Sequence, residues 1–197
     1  MSQLKVPVSK NDHALGPAAA PATLVEYGDY ECPFCGLAQP AVKAVKAHFG
    51  NDLRFVFRHF PLTEVHPDAE PAAETAEYAG DRSRFWPMHD AIYEAQKWLS
   101  LPLLFSLARA LGLSEIELRY ALVQKRYHPK VRSDFIGGVR SGVNGTPTFF
   151  INGVRHNGPF DFENLVTAIN AWLVRSKASL PAGAADSPGR VEATRTG

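Results

Sequence analysis

The hydrophobic pattern along this chain changes period twice. Residues 23–28 read as a strand, with Leu24 and Val25 apolar and Gly28 closing it. From Pro33 the spacing turns helical: Phe34, Leu37, Ala38, Ala41, Val42, Val45 and Phe49 recur at i, i+3, i+4 intervals and predict one apolar helix face. Pro33 suits a first helical position and Gly50-Asn51 a stop, while Pro40 inside the run predicts a kink. Residues 53–57 are β-like again, rich in Val and Phe, which completes a β-α-β start.

A long helical stretch follows. His66-Pro67-Asp68 opens a helix to about Ala79, and residues 84–98 form the next, carrying Phe85, Met88, His89, Ile92 and Trp98. Ser100 caps a third, Ser114 with Glu117 makes a capping box for a fourth, and residues 129–143 form a fifth. The pattern then returns to β. Residues 148–151 read as a strand, Asn152-Gly153 as a two-residue hairpin turn, residues 154–156 as the return strand, and Asp161 caps a last helix with Leu165, Ile169 and Trp172 inward. Residues 1–22 are an arm rich in Pro, Ala and Gly, in which Val6 and Val8 are candidates for a short edge strand. The expected division is an arm at 1–22, a core at 23–60 and 144–177, an inserted helical domain at 61–143, and a tail at 178–197 whose Ala, Gly, Pro and Ser content predicts disorder.

Composition narrows the function. The chain has 197 residues, 45% of them hydrophobic, and a net charge of +1. That fits one globular domain and excludes a basic nucleic-acid surface. Apolar runs such as residues 101–104 are far too short to span a bilayer, so membrane insertion is not expected. The first residues lack the apolar core of a secretion signal, which predicts a cytoplasmic protein.

The two cysteines, Cys32 and Cys35, stand two residues apart. A disulfide there closes a very small loop and removes little chain entropy, so a chemical role is the better reading. Cys32 falls at or beside the start of a helix, where unpaired N–H groups and the helix dipole favour a thiolate. Cys35, one turn on, is placed to resolve what Cys32 attacks. A zinc half-site needs two further ligands, and no second CxxC or zinc-finger histidine spacing exists, so no metal is expected. An inert pair of core thiols is the other bland reading. Gly145-Thr146-Pro147-Thr148 comes directly before the hairpin strand, at a position where Pro is compatible with a strand start or a cis bond.

In this order of parts the chain, from about residue 23 to 177, resembles the DsbA-like branch of the thioredoxin superfamily. The resemblance implies an α/β thioredoxin fold with a helical insertion between its βαβ and ββα halves. It implies that Cys32 is the exposed nucleophile, that Cys35 resolves, and that the cofactor is none beyond a redox-active Cys32–Cys35 disulfide. It makes Thr146-Pro147 the cis-proline loop that offers the Thr146 backbone to a substrate peptide, with Pro33 and Phe34 bordering the same surface. It also makes Glu26 a buried acid that exchanges protons with Cys35; a solvent-facing strand glutamate is the alternative. In the family's periplasmic prototype a Pro-His dipeptide separates the cysteines. Here it is Pro33-Phe34, which implies a less oxidising pair.

The expected function is thiol–disulfide exchange with protein or peptide thiols, with glutathione or a thioredoxin-type protein as redox partner. A redox-sensing module without turnover and a glutathione-dependent transferase or isomerase on the same fold are the rivals, and Cys35 argues against the second. His59, His66 and His89 read as surface or hydrogen-bonded core residues, Lys43 and Lys46 as a solvated helix face. His156, Asn157 and Gly158 lie near the hairpin with no assigned role.

Overall fold

The computed structural model describes residues 2–178, with side chains as far as residue 175. From residue 179 onward, the tail expected to be disordered lies outside the described residues. A short β1 (His13–Leu15) precedes β2 (Ala22–Gly28), α1 (Pro33–Phe49) and β3 (Leu53–His59). Five helices come next: α2 (Ala69–Gly80), α3 (Phe85–Glu94), α4 (Leu101–Ala110), α5 (Glu115–Val123) and α6 (His128–Arg140). The chain then returns through β4 (Thr148–Ile151), β5 (Val154–Arg155) and α7 (Phe162–Ala178).

The strands lie in the order β1-β3-β2-β4-β5. β2 runs parallel to β3 and antiparallel to β4, and the edges β1 and β5 are antiparallel to their neighbours. Central β2 is covered on both faces, which is why six of its seven residues are buried. Side chains alternate along a strand, and the two faces build two cores. Leu24, Phe55, Phe57, Phe149 and Ile151 pack with Ala38, Val42 and Val45 of α1 and Leu165 and Ile169 of α7. Val25, Tyr27, Val56 and Phe150 pack on the other side with Phe60, Phe135 and arm residues Leu4, Val8 and Ala14. Each fully buried Phe or Leu contributes roughly 1.5–3 kcal/mol of transfer free energy. The first core continues into the inserted helices through Ala72, Ala76, Leu104 and Leu118.

The arm is tied down by one arginine. Arg58 binds the Asp12 carboxylate at 2.7 and 3.1 Å and donates to the Val6 and Pro7 carbonyls at 2.8 and 3.0 Å. The edge strand is therefore β1, not Val6 and Val8: Pro7 has no N–H for a ladder, and the carbonyls beside it serve Arg58. Residues 2–4 reach the opposite edge, where the Leu4 N–H bonds the Gly153 carbonyl at 2.8 Å.

Several local readings change. α1 is one continuous helix from Pro33 to Phe49, with Pro40 inside it on the exposed side. Its buried stripe is Cys35, Ala38, Gln39, Val42 and Val45, leaving Phe34 and Leu37 at 61% and 70% exposed. Ser100 occupies an N-cap position, but its hydroxyl turns back to the Trp98 carbonyl at 3.3 Å. Ser114 accepts the Glu117 N–H at 3.3 Å, while the Glu117 carboxylate goes to Arg82 at 2.8 Å rather than closing the box. The helix carrying Phe85 ends at Glu94, and Trp98 lies exposed on the single turn Gln96–Trp98. The hairpin turn has Asn152 and Gly153 at φ 46° and 81°, the left-handed pair that a tight β-turn of this twist needs.

Candidate active site

The site lies where β2 gives way to α1. Gly28 ends the strand, and residues 29–31 form a turn held by its own carboxylate. Asp29 accepts the N–H groups of Glu31 at 2.8 Å and Cys32 at 3.2 Å, as an aspartate opening a turn does. The same side chain accepts the Leu62 N–H and the His66 Nδ1–H, each at 2.8 Å. Cys32 then takes the N-cap of α1, with φ −68° and ψ 118°, and its carbonyl accepts the Cys35 N–H at 3.0 Å. From the inserted helices, the Gln96 amide donates to the Tyr30 carbonyl at 2.7 Å and the Cys32 carbonyl at 2.9 Å.

Across from the cysteines stands the Thr146–Pro147 peptide, which is cis. The Cys32 thiol donates to the Thr146 carbonyl at 3.3 Å. Cys32 is 4% exposed, so the residue expected to be an exposed nucleophile has its sulfur covered, turned onto Thr146. The open parts of the motif are Pro33 and Phe34. Thr146 and Pro147 are half-buried.

The two thiols are electrostatically unequal. Both are free. The hydrogen bond from Cys35 is the largest influence on Cys32, whose pKa is lowered to about 5; burial opposes the shift, and the N–H groups of Cys35 and Phe34 assist it. A sulfur at a helix N-terminus is expected to behave this way. Cys35 moves the opposite way, well above an ordinary thiol, through burial and then the neighbouring Cys32 and Glu26. Its sulfur accepts the Asp29 N–H at 3.4 Å.

Glu26 is fully buried, and neither carboxylate oxygen has a hydrogen-bond partner. The solvent-facing alternative does not hold. Glu26 shares the β2 face of Leu24, the face on which α1 and Cys35 pack. Burial raises its pKa to about 8, with Lys46 pulling weakly downward. Lys46 is thus no solvated residue: its ammonium sits 4.9 Å from the Phe55 ring and 5.6 Å from Trp86, and burial lowers its pKa.

Cys32, Cys35, Glu26, Thr146, Pro147, Pro33 and Phe34 all belong to this end of the sheet or to α1. Asp29, His66 and Gln96 join them without having been singled out as site residues. Asp29 carried a readable signal, an aspartate three residues before Cys32 at a strand end. His66 and Gln96 come from distant segments and carried none. His59 and His89 are core histidines, bonded to Glu77 at 2.8 Å and the Tyr30 hydroxyl at 3.0 Å. Two clusters of metal-ligating side chains occur among the described residues, His59 with Glu77 and Asp134, and Glu70 with Glu74 and His128. In the first, Lys130 supplies the cation, 2.6 Å from Asp134 and 3.9 Å from Glu77.

A β-α-β unit, five helices and a β-hairpin with its helix, with two cysteines at a helix start facing a cis-proline, define a thioredoxin fold of the DsbA-like kind. The chain belongs to the thioredoxin family: the model described as Thioredoxin matches residues 8–171. BdbD from Bacillus subtilis superposes with a TM-score of 0.79 at 24% identity, covering 88% of this chain and 98% of that one. Wolbachia pipientis α-DsbA1 gives 0.78 at 21%, covering 90% and 98%. Among curated relatives, the Na(+)/H(+) antiporter NhaA 1 of Salinispora arenicola is 46% identical over 169 residues, 85% of this chain and 26% of that protein. NhaA 3 of Salinispora tropica is 41% identical over 191 residues, 96% of this chain and 29% of that protein. The chain thus spans between a quarter and a third of these relatives' length. No helix among its described residues is long and apolar enough to cross a membrane.

Proposed function

We propose that this protein is a thiol–disulfide oxidoreductase acting on protein or peptide thiols. The observation that carries the reading is the inequality of the two sulfurs, an acidic thiol at a helix N-cap against Thr146 and a buried, reluctant one a turn away. In the reducing direction the Cys32 thiolate attacks one sulfur of a substrate disulfide, and the other sulfur leaves as a thiolate that takes a proton. Cys35 then loses its proton to the ionised fraction of Glu26, and its thiolate attacks Cys32. The Cys32–Cys35 disulfide forms, the substrate leaves as its second thiolate, and two electrons have passed to the substrate. Oxidation is the same sequence reversed. The Thr146 backbone aligns the substrate strand in either direction.

Exchange of a peptide disulfide tests this. Wild type turns over, Cys32→Ser does not, and Cys35→Ser accumulates peptide linked to Cys32. Absence of that adduct counts against the reading. The long relatives named as antiporters favour a second reading, a redox-responsive module that works with a cation–proton antiporter. Negligible turnover together with redox-dependent ion exchange in a joined protein would select it. The cytoplasmic placement remains part of the proposal, and a reducing compartment favours reductase or isomerase work.

A further inference from the structure

The groups that shape Cys32 reach beyond the motif. Asp29 has a fully buried carboxylate that meets four donors, one of them the Cys32 N–H at 3.2 Å. A carboxylate bonded to the Cys32 N–H opposes a thiolate on the same residue by charge. The fourth donor, His66, is the one that carries a countercharge. Its ring comes from the loop between β3 and α2, is 18% exposed, and places Nδ1 2.8 Å from Asp29 Oδ2. We propose that His66 is a positioning residue for the exchange reaction: through Asp29 it fixes the turn that presents Cys32, and its imidazolium offsets the Asp29 charge beside the sulfur. This rests on the exchange reading above.

The charges facing His66 support the assignment. Burial lowers its pKa, but the hydrogen bond and charge of Asp29, and then the charges of Cys32 and Glu31, raise it overall. Glu31 is itself held in place, its carboxylate accepting the Asp68 N–H at 2.7 Å at the foot of α2. In the reduced protein three anions face the imidazole: Asp29, Glu31 and the Cys32 thiolate. Disulfide formation removes the third. Linkage is reciprocal, so whatever Cys32 contributes to His66 protonation, His66 returns to Cys32 ionisation. A cation that stabilises the thiolate stabilises the reduced pair and makes it more oxidising.

The test follows the His66 imidazole by NMR through a pH titration of reduced and oxidised wild type, beside thiolate absorbance titrations of wild type and His66→Gln. The His66 pKa should be lower in the oxidised protein. His66→Gln should raise the Cys32 pKa by the same amount that oxidation lowers that of His66, and make the pair more reducing against glutathione. Equal His66 pKa values in both redox states overturn the proposal, as does a folded His66→Gln whose thiolate curve overlays wild type. If His66→Gln fails to fold, the wild-type comparison decides alone. An ordinary Cys32 pKa in wild type would instead overturn the exchange reading itself.

Discussion

The Cys32 sulfur lies 3.3 Å from the Thr146 carbonyl oxygen. A thiol donates to that oxygen and a thiolate cannot, so ionisation releases Cys32 from Thr146. On the proposed exchange reading, the freed carbonyl then accepts the N–H of a substrate strand.

Glu26 should make the fold less stable as pH rises. Its folded pKa of about 8 exceeds the usual carboxylate value, so the unfolded chain gives up the proton first. Stability from this group is complete below about pH 4.5 and declines as pH rises to about 8, by a few kcal/mol in all. Glu26→Gln should flatten that decline, with a larger gain in Tm at pH 8 than at pH 5. It should also slow resolution by Cys35. A Tm gain independent of pH would contradict the account.

Glu77 should have the opposite sign. Burial raises its pKa, but hydrogen bonds from His13 and His59 at 2.9 and 2.8 Å hold it far below the ordinary range. Its stabilisation is present above about pH 4.5 and is lost as pH falls further. Glu77→Ala leaves His13 and His59 without their acceptor and should cost roughly 3–5 kcal/mol. Urea unfolding at pH 7 and pH 4 checks this, the deficit narrowing at the lower pH.

Gln96 should stabilise the cysteine turn from outside it. Gln96→Ala removes the donor from the Tyr30 and Cys32 carbonyls and should cost about 1–2 kcal/mol. Gly36 belongs to the same contact, since a Cβ there would meet the Gln96 Oε1 at 2.1 Å. Gly36→Ala should therefore displace that amide and reproduce part of the loss. Denaturation midpoints of both variants equal to wild type would contradict this.

Phe34 should restrain the oxidising power of the pair. Phe34→His places an ionisable cation beside Cys32, which should lower its pKa further and favour the reduced form. Each tenfold shift in the glutathione equilibrium corresponds to about 30 mV, and the midpoint should move upward. An unchanged or lower midpoint would contradict the account.

The legible parts of the molecule are those with local signals. β2, β4 and the turn at Asn152 and Gly153 follow from residue type and two-residue alternation, and Cys32 at the N-cap follows from Pro33. The same alternation carries Glu26 onto the face of Leu24, but its burial depends on α1 packing there. Helical spacing admitted Phe34 and Leu37 to the apolar face, yet the sheet accepts the stripe through Cys35, Ala38 and Val42, and nothing local decides between these rotations. Lys46 departs from a solvated helix face for the same reason, since the aromatic rings it covers come from β3 and α3. His66 and Gln96 meet the cysteine turn through folding of the inserted helices, a long-range relationship that no spacing encodes.

Thiolate absorbance of the reduced protein, followed from pH 3 to pH 10 with Cys32→Ser as the blank, tests the central claim most directly. The account requires a transition near pH 5 that vanishes in the variant, with Cys35 silent through neutrality. A single transition near the free-thiol value of about 8.5 would contradict it.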